Sequence, residues 1–313
     1  MIFVTVGASL PFDRLIEYID KEIASRYDGK IIAQIHDSAK YVPKNIEFFT
    51  TINKTEYDEY IKKSDLIISH AGMGAIIDCI KYNKKLILVP RDYKRRELID
   101  DHQNEICDYL MDNYKDILII RDLQDLYNGI LQSISSPPPE FKDGKKNLSV
   151  LRKNVSEYLS KNSKENNTIF VVCSSGGHLR QILELSDILS EKNIVLITNR
   201  TKTKLKFSKV VKIDERFIGP LLLIKSTFVA ISLIFRYRPS IIFTNGGGEI
   251  SIPFSYFGKL LGSKVLFMET ISRVISKSKA ARFIYPIADV FLVQWEKNLS
   301  LYGKKAQYWG SVI

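Results

Sequence analysis

Cysteine is scarce in this chain. The 3 cysteines among 313 residues, Cys79, Cys107 and Cys173, show no C-x-x-C spacing and sit in apolar surroundings. That pattern indicates neither a disulfide framework nor a zinc site, and it suits a reducing cytoplasm. No secretory leader is expected: Met1-Ile2-Phe3-Val4-Thr5-Val6-Gly7 has no basic n-region and is too short an apolar run, so it reads as a first strand. No helix-turn-helix, zinc or RNP-type aromatic signature is present, and the cations are dispersed along the chain. The surplus of 46 Lys+Arg over 35 Asp+Glu, a net charge of +11, is therefore assigned to an anionic small molecule or an anionic membrane surface, with no nucleic acid as partner.

What is present is alternation. With 45% hydrophobic residues the chain can bury ordinary cores, and its length predicts two domains of about 150 residues each. Strands are expected at Ile2 to Val6, Ile31 to Ile35, Ile46 to Thr50, Leu66 to Ser69, Lys85 to Pro90 and Ile117 to Ile120, with helices near 12–26, 55–62, 75–82 and 101–113 between them. Strand and helix in turn argue for an α/β fold with parallel sheets. Ser135-Ser136-Pro137-Pro138-Pro139 and the charged run to Asn147 break the pattern, and a helix over 148–159 bridges to a second half. Beyond it the alternation resumes, with strands at Ile169 to Cys173, Ile194 to Thr198, Ile241 to Thr244, Val265 to Met268 and Val290 to Val293. A single helix is expected over Leu179 to Ser190. The domains are accordingly set at 1–147, a linker with its bridging helix at 148–167, and 168–313.

Glycine-rich turns fall at the carboxyl ends of these strands. Ser69-His70-Ala71-Gly72-Met73-Gly74 lies between a buried strand and a helix, whose free N–H groups and positive dipole end suit a phosphate. Such turns also occur in α/β proteins whose crevices are empty. Asp78, one turn into the helix, could accept hydrogen bonds from ribose hydroxyls, and Asp100-Asp101-His102-Gln103-Asn104 could read a sugar. In the second half, Ser174-Ser175-Gly176-Gly177-His178 and Asn245-Gly246-Gly247-Gly248 hold equivalent places. Two such rims facing each other would form a cleft. One segment stands apart: Phe217 to Phe235 is strongly apolar, carries Lys225 and is followed by Arg236 and Arg238. It reads as a buried helix, as a surface lying on an anionic membrane, or as a short span.

These residues carry a resemblance. Met1 to Gly7, Phe12-Asp13, Ser69 to Gly72 and Asp101-His102-Gln103 resemble the donor-binding subunit of the two-subunit transferase that extends dolichol-diphosphate-GlcNAc. Ser174 to His178, Asn245 to Gly248, Glu269-Thr270-Ile271-Ser272-Arg273 and Ala288 to Trp295 resemble its membrane-recruiting partner. Both halves are also similar to paired bacterial capsule and exopolysaccharide glycosyltransferase subunits. The resemblance spans nearly the whole chain and implies a GT-B fold, two Rossmann-like domains facing a central cleft. Here the donor-like half leads, so the order is permuted relative to single-chain enzymes of this type.

The resemblance implies an inverting transfer from a UDP-sugar (UDP-GlcA, UDP-GlcNAc or UDP-Gal) to a polyprenyl-diphosphate-linked saccharide, forming a β-linkage. The alternative is a non-catalytic UDP-binding scaffold that recruits another transferase. Donor contacts are expected from Gly7, Ser9, His70, Gly72, Met73, Gly74, Asp78, His102 and Gln103. Acceptor contacts are expected from Gly176, Gly177, Asn245, Gly246, Gly247 and Arg273. His178 is the candidate base, or else a loop or acceptor-phosphate contact; Glu269 is the second candidate, or else positions the acceptor sugar. His70 orders its turn, and His36 lines the same rim without a role. Arg91, Lys94, Arg95 and Arg96 form a solvated basic loop or suit a carboxylated sugar. No D-x-D motif occurs, so no metal and no cofactor beyond the UDP-sugar is expected. The segment from Phe217 to Arg238 would hold the protein on the cytoplasmic, inner face of the cell membrane.

Overall fold

Short runs of β-branched and aliphatic residues become buried parallel strands, and the helices between them cover both faces. The computed structural model describes residues 1–7, 10–98, 102–114, 117–137, 142–163, 167–199, 207–213 and 219–313, with the side chains of residues 102, 142, 143 and 145 outside that description. Two compact units divide the chain, Met1–Lys142 and Asp143–Ile313.

The first unit contains β1 (Ile2–Thr5), α1 (Asp13–Tyr18, continued by a π-helical turn at Ile19–Ile23), β2 (Ile31–Gln34), β3 (Glu47–Phe49), α2 (Lys54–Lys63) and β4 (Leu66–Ser69). Then follow α3 (Met73–Tyr82), β5 (Lys85–Leu88), α4 (His102–Asn113), β6 (Ile117–Ile119) and α5 (Leu126–Ser135). Among the described residues the sheet has six strands in the order β3-β2-β1-β4-β5-β6. All its pairs are parallel, with Thr5 opposite Gln34 on one side and Ser69 on the other. The chain doubles back between β1 and β4, which makes their carboxyl ends the topological switch point, the place where open α/β sheets bind ligands. On one face Phe12, Leu15, Ile16 and Ile19 pack with Leu126 and Ile130 over Val4 and Ile68. On the other, Phe3 stacks on Tyr60 with ring centroids 5.4 Å apart.

The second unit opens with α6 (Lys142–Asn162), β7 (Ile169–Val172), α7 (Gly177–Leu183), α8 (Ser186–Ser190), β8 (Ile194–Thr198), β9 (Lys209–Lys212) and α9 (Gly219–Tyr237). It continues with β10 (Ile241–Thr244), α10 (Gly248–Leu260), β11 (Lys264–Met268), α11 (Lys279–Ile284), β12 (Val290–Val293), α12 (Asn298–Tyr302) and β13 (Ala306–Tyr308). Its described strands form a seven-stranded sheet in the order β13-β12-β11-β10-β7-β8-β9, again wholly parallel. The switch point lies between β7 and β10. Each unit is thus a Rossmann-like α/β domain, as the alternating pattern predicts.

Several elements differ from the sequence expectation. The helix expected over 148–159 runs from Lys142 to Asn162 and counts with the second unit, not with a linker. Its buried Leu151, Val155 and Leu159 are spaced by one turn, and Asn154 Nδ2 donates to the Trp309 carbonyl at 3.3 Å. The helix expected over 179–190 is broken at Glu184-Leu185, where Arg152 Nε donates to the Glu184 carbonyl at 2.8 Å. The strand β9 has the sequence KVVK, exposed at both ends, too short and too polar to be read from pattern.

The cysteines lie where the sequence put them. All three are free and buried; burial pushes the Cys107 thiol up to about 12 and raises those of Cys79 and Cys173 as well.

Gly310 carries the packing of α6 onto the segment that follows β13. Its φ is +101°, and a Cβ there would stand 2.4 Å from the Asn147 carbonyl oxygen and 2.8 Å from the Leu151 nitrogen, both backbone atoms. Gly310→Ala is expected to cost the second unit about 2 to 4 kcal/mol, from the left-handed conformation plus the overlap. Both tryptophans of the chain, Trp295 and Trp309, belong to that unit, so urea unfolding followed by their fluorescence reads it directly.

Candidate functional site

At the switch point of the first unit two turns meet around one imidazole. Gly7 ends the extension of β1 with φ +76°, and Gly72 caps the N-terminus of α3. A Cβ on Gly7 would lie 2.6 Å from His70 Cε1, and one on Gly72 would lie 2.0 Å from His70 Nε2. The His70 ring therefore fills the space that side chains at both glycines would need, and only glycine permits the two turns to close on it. Ser69 supports the ring with its Oγ 3.3 Å from Nδ1, and donates to the Thr5 carbonyl at 2.9 Å.

The first turn of α3 presents the N–H groups of Met73, Gly74 and Ala75, which no residue of the helix can accept from. With the Met73 side chain buried, its backbone is what that residue offers. The Gly7 turn is held from beneath: Thr5 Oγ1 donates to Gln34 Oε1 at 2.8 Å, and Gln34 Nε2 donates to the Gly7 carbonyl at 2.9 Å. His36 has φ +81° and closes a small turn through Ser38, whose N–H donates to its Nδ1 at 3.1 Å. These supports, Thr5 and Gln34, were not legible as site residues. Their one signal was a polar residue inside an otherwise aliphatic strand.

Other predicted donor residues are less open than the sequence suggests. The Asp78 carboxylate is buried, with Lys54 Nζ from α2 3.5 Å away. Gln103 is also buried, and its Oε1 accepts from the Arg91 backbone N–H at 3.0 Å, which leaves its amide nitrogen as the group to offer a sugar. Ser9, Asp100, Asp101 and the side chain of His102 lie outside the described residues. The solvated basic loop needs a correction at Arg91. Lys94, Arg95 and Arg96 are exposed, but Arg91 turns inward and its guanidinium is bound to main-chain carbonyls.

The second unit repeats the arrangement with different residues. Gly176, Gly246 and Gly247 have φ of +78°, +123° and +79°. A Cβ on Gly246 would stand 2.6 Å from His178 Cε1, and one on Gly247 would stand 2.7 Å from the Ser174 nitrogen. Gly177 opens α7, and the His178 carbonyl accepts from Asn245 Nδ2 at 2.8 Å. Half-buried His178 and the N-terminus of α10 thus border the same glycine turn, a geometry in which an imidazole can exchange a proton with a bound hydroxyl.

Glu269 is placed otherwise than a base requires. It is buried; Oε1 accepts from the Thr270 N–H at 2.8 Å, while Oε2 accepts from the Ser278 N–H at 3.3 Å and from the Tyr302 hydroxyl. Enclosed and bonded at both oxygens, it anchors the 270–278 loop instead of meeting a substrate. Arg273 belongs to that loop, with Nη1 3.1 Å from Ser276 Oγ. No motif announces the glutamine pair behind it. Gln181 Nε2 donates to the Gly177 carbonyl and to Thr270 Oγ1 at 3.1 and 3.0 Å; its Oε1 accepts from Ile271 N–H and Gln294 Nε2 at 3.0 and 2.8 Å. Every donor and acceptor of that side chain is used, which fixes the loop to the start of α7.

With this geometry described, relatives can be compared. The model of the glycosyltransferase family 28 C-terminal domain matches residues 1–159, slightly more than half of the chain. The chain belongs to this glycosyltransferase family. A second model, oligosaccharide biosynthesis protein Alg14 like, matches residues 186–312. The chain is 37% identical over 108 residues to the UDP-N-acetylglucosamine transferase subunit ALG13 of Candida albicans, covering 28% of this chain and 36% of that one. To subunit ALG14 of the same organism it is 35% identical over 92 residues, 28% of this chain and 41% of that one. To ALG14 of Yarrowia lipolytica it is 22% identical over 187 residues, 50% of this chain and 86% of that one. The chain spans about two fifths of the length of the first curated relatives it matches. An NMR solution structure of ALG13 aligns with 45% of this chain and 88% of its own at 23% identity and a TM-score of 0.32. A family 28 domain thus comes first and an Alg14-like domain second, and one chain is similar to proteins named as two different UDP-N-acetylglucosamine transferase subunits.

Glu269 gives this site a pH signature. Burial raises its carboxyl above the ordinary glutamate range, against the hydrogen bonds from Tyr302, Thr270 and Ser278 that favour the anion. A raised folded pKa contributes stability that is complete below the unfolded pKa and is lost as pH rises through the folded one. The stability of the second unit relative to Glu269→Gln is therefore expected to fall as pH rises above the ordinary glutamate range. Urea midpoints from tryptophan fluorescence for the two proteins test it; a difference that stays constant or rises with pH contradicts the assignment.

Proposed function

We propose that this protein is an inverting glycosyltransferase that binds a UDP-sugar through its first unit and a polyprenyl-diphosphate-linked saccharide through its second. The observation that carries the reading is the paired glycine turns at the switch point of each family-matched domain, present together in one chain. In the first unit the N–H groups of Met73, Gly74 and Ala75 and the dipole of α3 stabilise the departing diphosphate. Gly7 allows close approach of the main chain, and Asp78 and the Gln103 amide orient ribose and sugar. The acceptor hydroxyl attacks the anomeric carbon as the bond from that carbon to the phosphate oxygen breaks. UDP leaves with the bonding pair, the proton passes to His178, and an α-linked donor yields a β-linked product. Gly176, Gly177, Asn245, Gly246, Gly247 and Arg273 receive the acceptor. No metal takes part in this scheme, and the donor is UDP-GlcNAc, UDP-GlcA or UDP-Gal.

The membrane reading rests on α9. Among the described residues it is the one helix long and apolar enough to cross a membrane by length and composition. Leu222, Ser226, Ala230 and Ile234 face the core of the second unit. On the opposite side Leu221, Ile224, Phe228 and Phe235 are 61%, 54%, 70% and 61% exposed. A helix docked on its own sheet and apolar outward, with Lys225, Arg236 and Arg238 beside the stripe, suits a membrane surface more than a span. Phe217 and Ile218, which head the segment in the sequence, lie outside the described residues. The proposed setting is the inner, cytoplasmic face of the membrane that carries the acceptor.

Thermal unfolding with a nucleotide panel tests the donor site. UDP at a hundred times its Kd is expected to stabilise the protein by about 2.7 kcal/mol, where ADP and GDP do not, and Gly72→Ala, whose new Cβ displaces His70, is expected to abolish the effect. No UDP effect would sink the transferase reading; UDP binding without turnover on any polyprenyl-diphosphate sugar would favour a recruiting scaffold, and turnover lost to a chelator would contradict the metal-free scheme. For the membrane, the double change Phe228→Ser and Phe235→Ser is expected to weaken partition onto vesicles containing phosphatidylglycerol by about tenfold or more. Sedimentation with vesicles of graded anionic content measures this, and unchanged partition would remove α9 from the interface.

A further inference from the structure

The apolar outward side of α9 does not end with that helix. Phe170 and Val265 are both register partners of Ile242, and Phe267 is the partner of Phe291, so these side chains share one face of the seven-stranded sheet. Helices α9 and α10 cover part of that face, with Leu222, Ala230, Ile250 and Phe254 in one cluster over Phe170 and Ile242. Helix α11 covers the next part, with Ala280, Ala281 and Ile284 against Val265, Phe267 and Phe291. The Tyr256 hydroxyl of α10 donates to the Phe283 carbonyl of α11 at 2.9 Å. The three helices form one layer.

The outer side of the layer is apolar and basic along its width. Tyr256 and Leu260 on α10 are exposed, Phe283 on α11 is 57% exposed, and Ile275 in the loop before α11 is 67% exposed. A row of large apolar side chains facing outward across three helices marks an interaction surface. The helices carry Lys225, Arg236, Lys259, Lys279 and Arg282 against one acid, Glu249. Lys259 is held by Asp289 at 2.6 Å. Lys279 and Arg282 are exposed on α11, and Lys279 stands one turn from Phe283 on the same side. Apolar side chains framed by cations, continuous with the α9 stripe, fit an anionic bilayer.

We propose that the membrane contact is this whole three-helix layer and that the loop between β11 and α11 takes part in it, with Ile275 entering the interface. The inference rests on the membrane reading of α9 above and deepens it. Strands beneath a helical layer run in its plane, so a second unit lying on this layer holds its strands parallel to the bilayer. The carboxyl ends of β10 and β11 then open sideways, one helix diameter, about 10 Å, above the surface. The loop crosses that gap, since it leads from β11 in the sheet to α11 in the layer, and Ile275 stands three residues ahead of the Ser278 cap of α11. The same loop holds Arg273 and is fixed by Glu269 and Gln181. A lipid-linked diphosphate therefore meets the glycine turns from the side, with its chain still in the bilayer.

Site-directed labelling of the full chain tests this. Cys79, Cys107 and Cys173 are buried, so an environment-sensitive thiol dye goes to a cysteine introduced at an exposed position. Four single variants carry the dye: Phe228→Cys on α9, Phe283→Cys on α11, Ile275→Cys in the loop, and Lys153→Cys on α6, outside the layer. With vesicles containing phosphatidylglycerol, the first three are expected to shift their emission to the blue and to be quenched by brominated acyl chains, while Lys153→Cys emits as in water. The double change Ile275→Ser and Phe283→Ser is expected to lower partition by about tenfold or more. Lys279→Glu with Arg282→Glu is expected to lower it by a similar factor on anionic vesicles and to leave partition onto phosphatidylcholine unchanged. A shift in Phe228→Cys alone overturns the proposal and leaves the α9 reading standing, and a shift in Phe283→Cys without one in Ile275→Cys overturns the part given to the loop. Unchanged partition in both double variants overturns the proposal, as does an equal shift in Lys153→Cys. A blue shift that needs no vesicles and grows with protein concentration would assign the surface to a second copy and overturn it too. No shift in any variant fails the membrane reading itself, and the proposal falls with it.

Discussion

The constraint on which both halves depend is the closeness of two turns at a switch point, each built around an imidazole. In the first unit the His70 ring stands where Gly7 and Gly72 would carry Cβ atoms. In the second the His178 ring does the same for Gly246, and Ser174 does it for Gly247. Parallel pairing brings the carboxyl ends of β1 and β4, or of β7 and β10, side by side; the turns that leave them then compete for the same few ångströms. Glycine resolves the competition by giving up its side chain, and the ring takes the space.

Behind each turn lies a layer of buried polar groups that is nearly saturated. In the first unit it runs through Thr5, Gln34, Arg91 and Gln103; in the second through Gln181, Glu269, Thr270, Gln294 and Tyr302. Buried polar side chains stabilise little in net terms when satisfied and cost much when one partner is lost. Their effect here is to allow each loop one arrangement. That rigidity matters for group transfer, where a shift of one ångström at the reacting atoms can cost two orders of magnitude in rate.

The strands and the glycine turns were legible because each writes a local signature. Leu66 to Ile68 is an apolar run ended by small residues, and alternation with helical segments implies a parallel sheet. The full extent of α6 and the break between α7 and α8 were not legible, and the contacts made there, Asn154 with Trp309 and Arg152 with Glu184, join residues remote in sequence. The site divides in the same way. Gly7, Gly72, Gly246 and Gly247 announce themselves, whereas the burial of Asp78, the enclosure of Glu269 and the inward turn of Arg91 depend on tertiary neighbours. In sequence, Arg91 beside Lys94, Arg95 and Arg96 looks like one more surface cation; a 3% exposure separates it from them.

The docking of Gly310 and Trp309 onto α6 has a consequence for the order of events during synthesis. Helix α6 opens the second unit, yet the groups that cover Asn147, Leu151 and Asn154 are made some hundred and fifty-five residues later, as the separation of Asn154 from Trp309 records. The first unit, Met1–Lys142, has all its strands in hand once its own residues are complete. The second can assemble most of its sheet but cannot seal α6 until the segment beyond β13 is available, a closure of high sequence separation whose entropy is met only at the end. During synthesis the first unit has its own residues in hand before the second, and the apolar face of α6 is covered only once the segment beyond β13 is available.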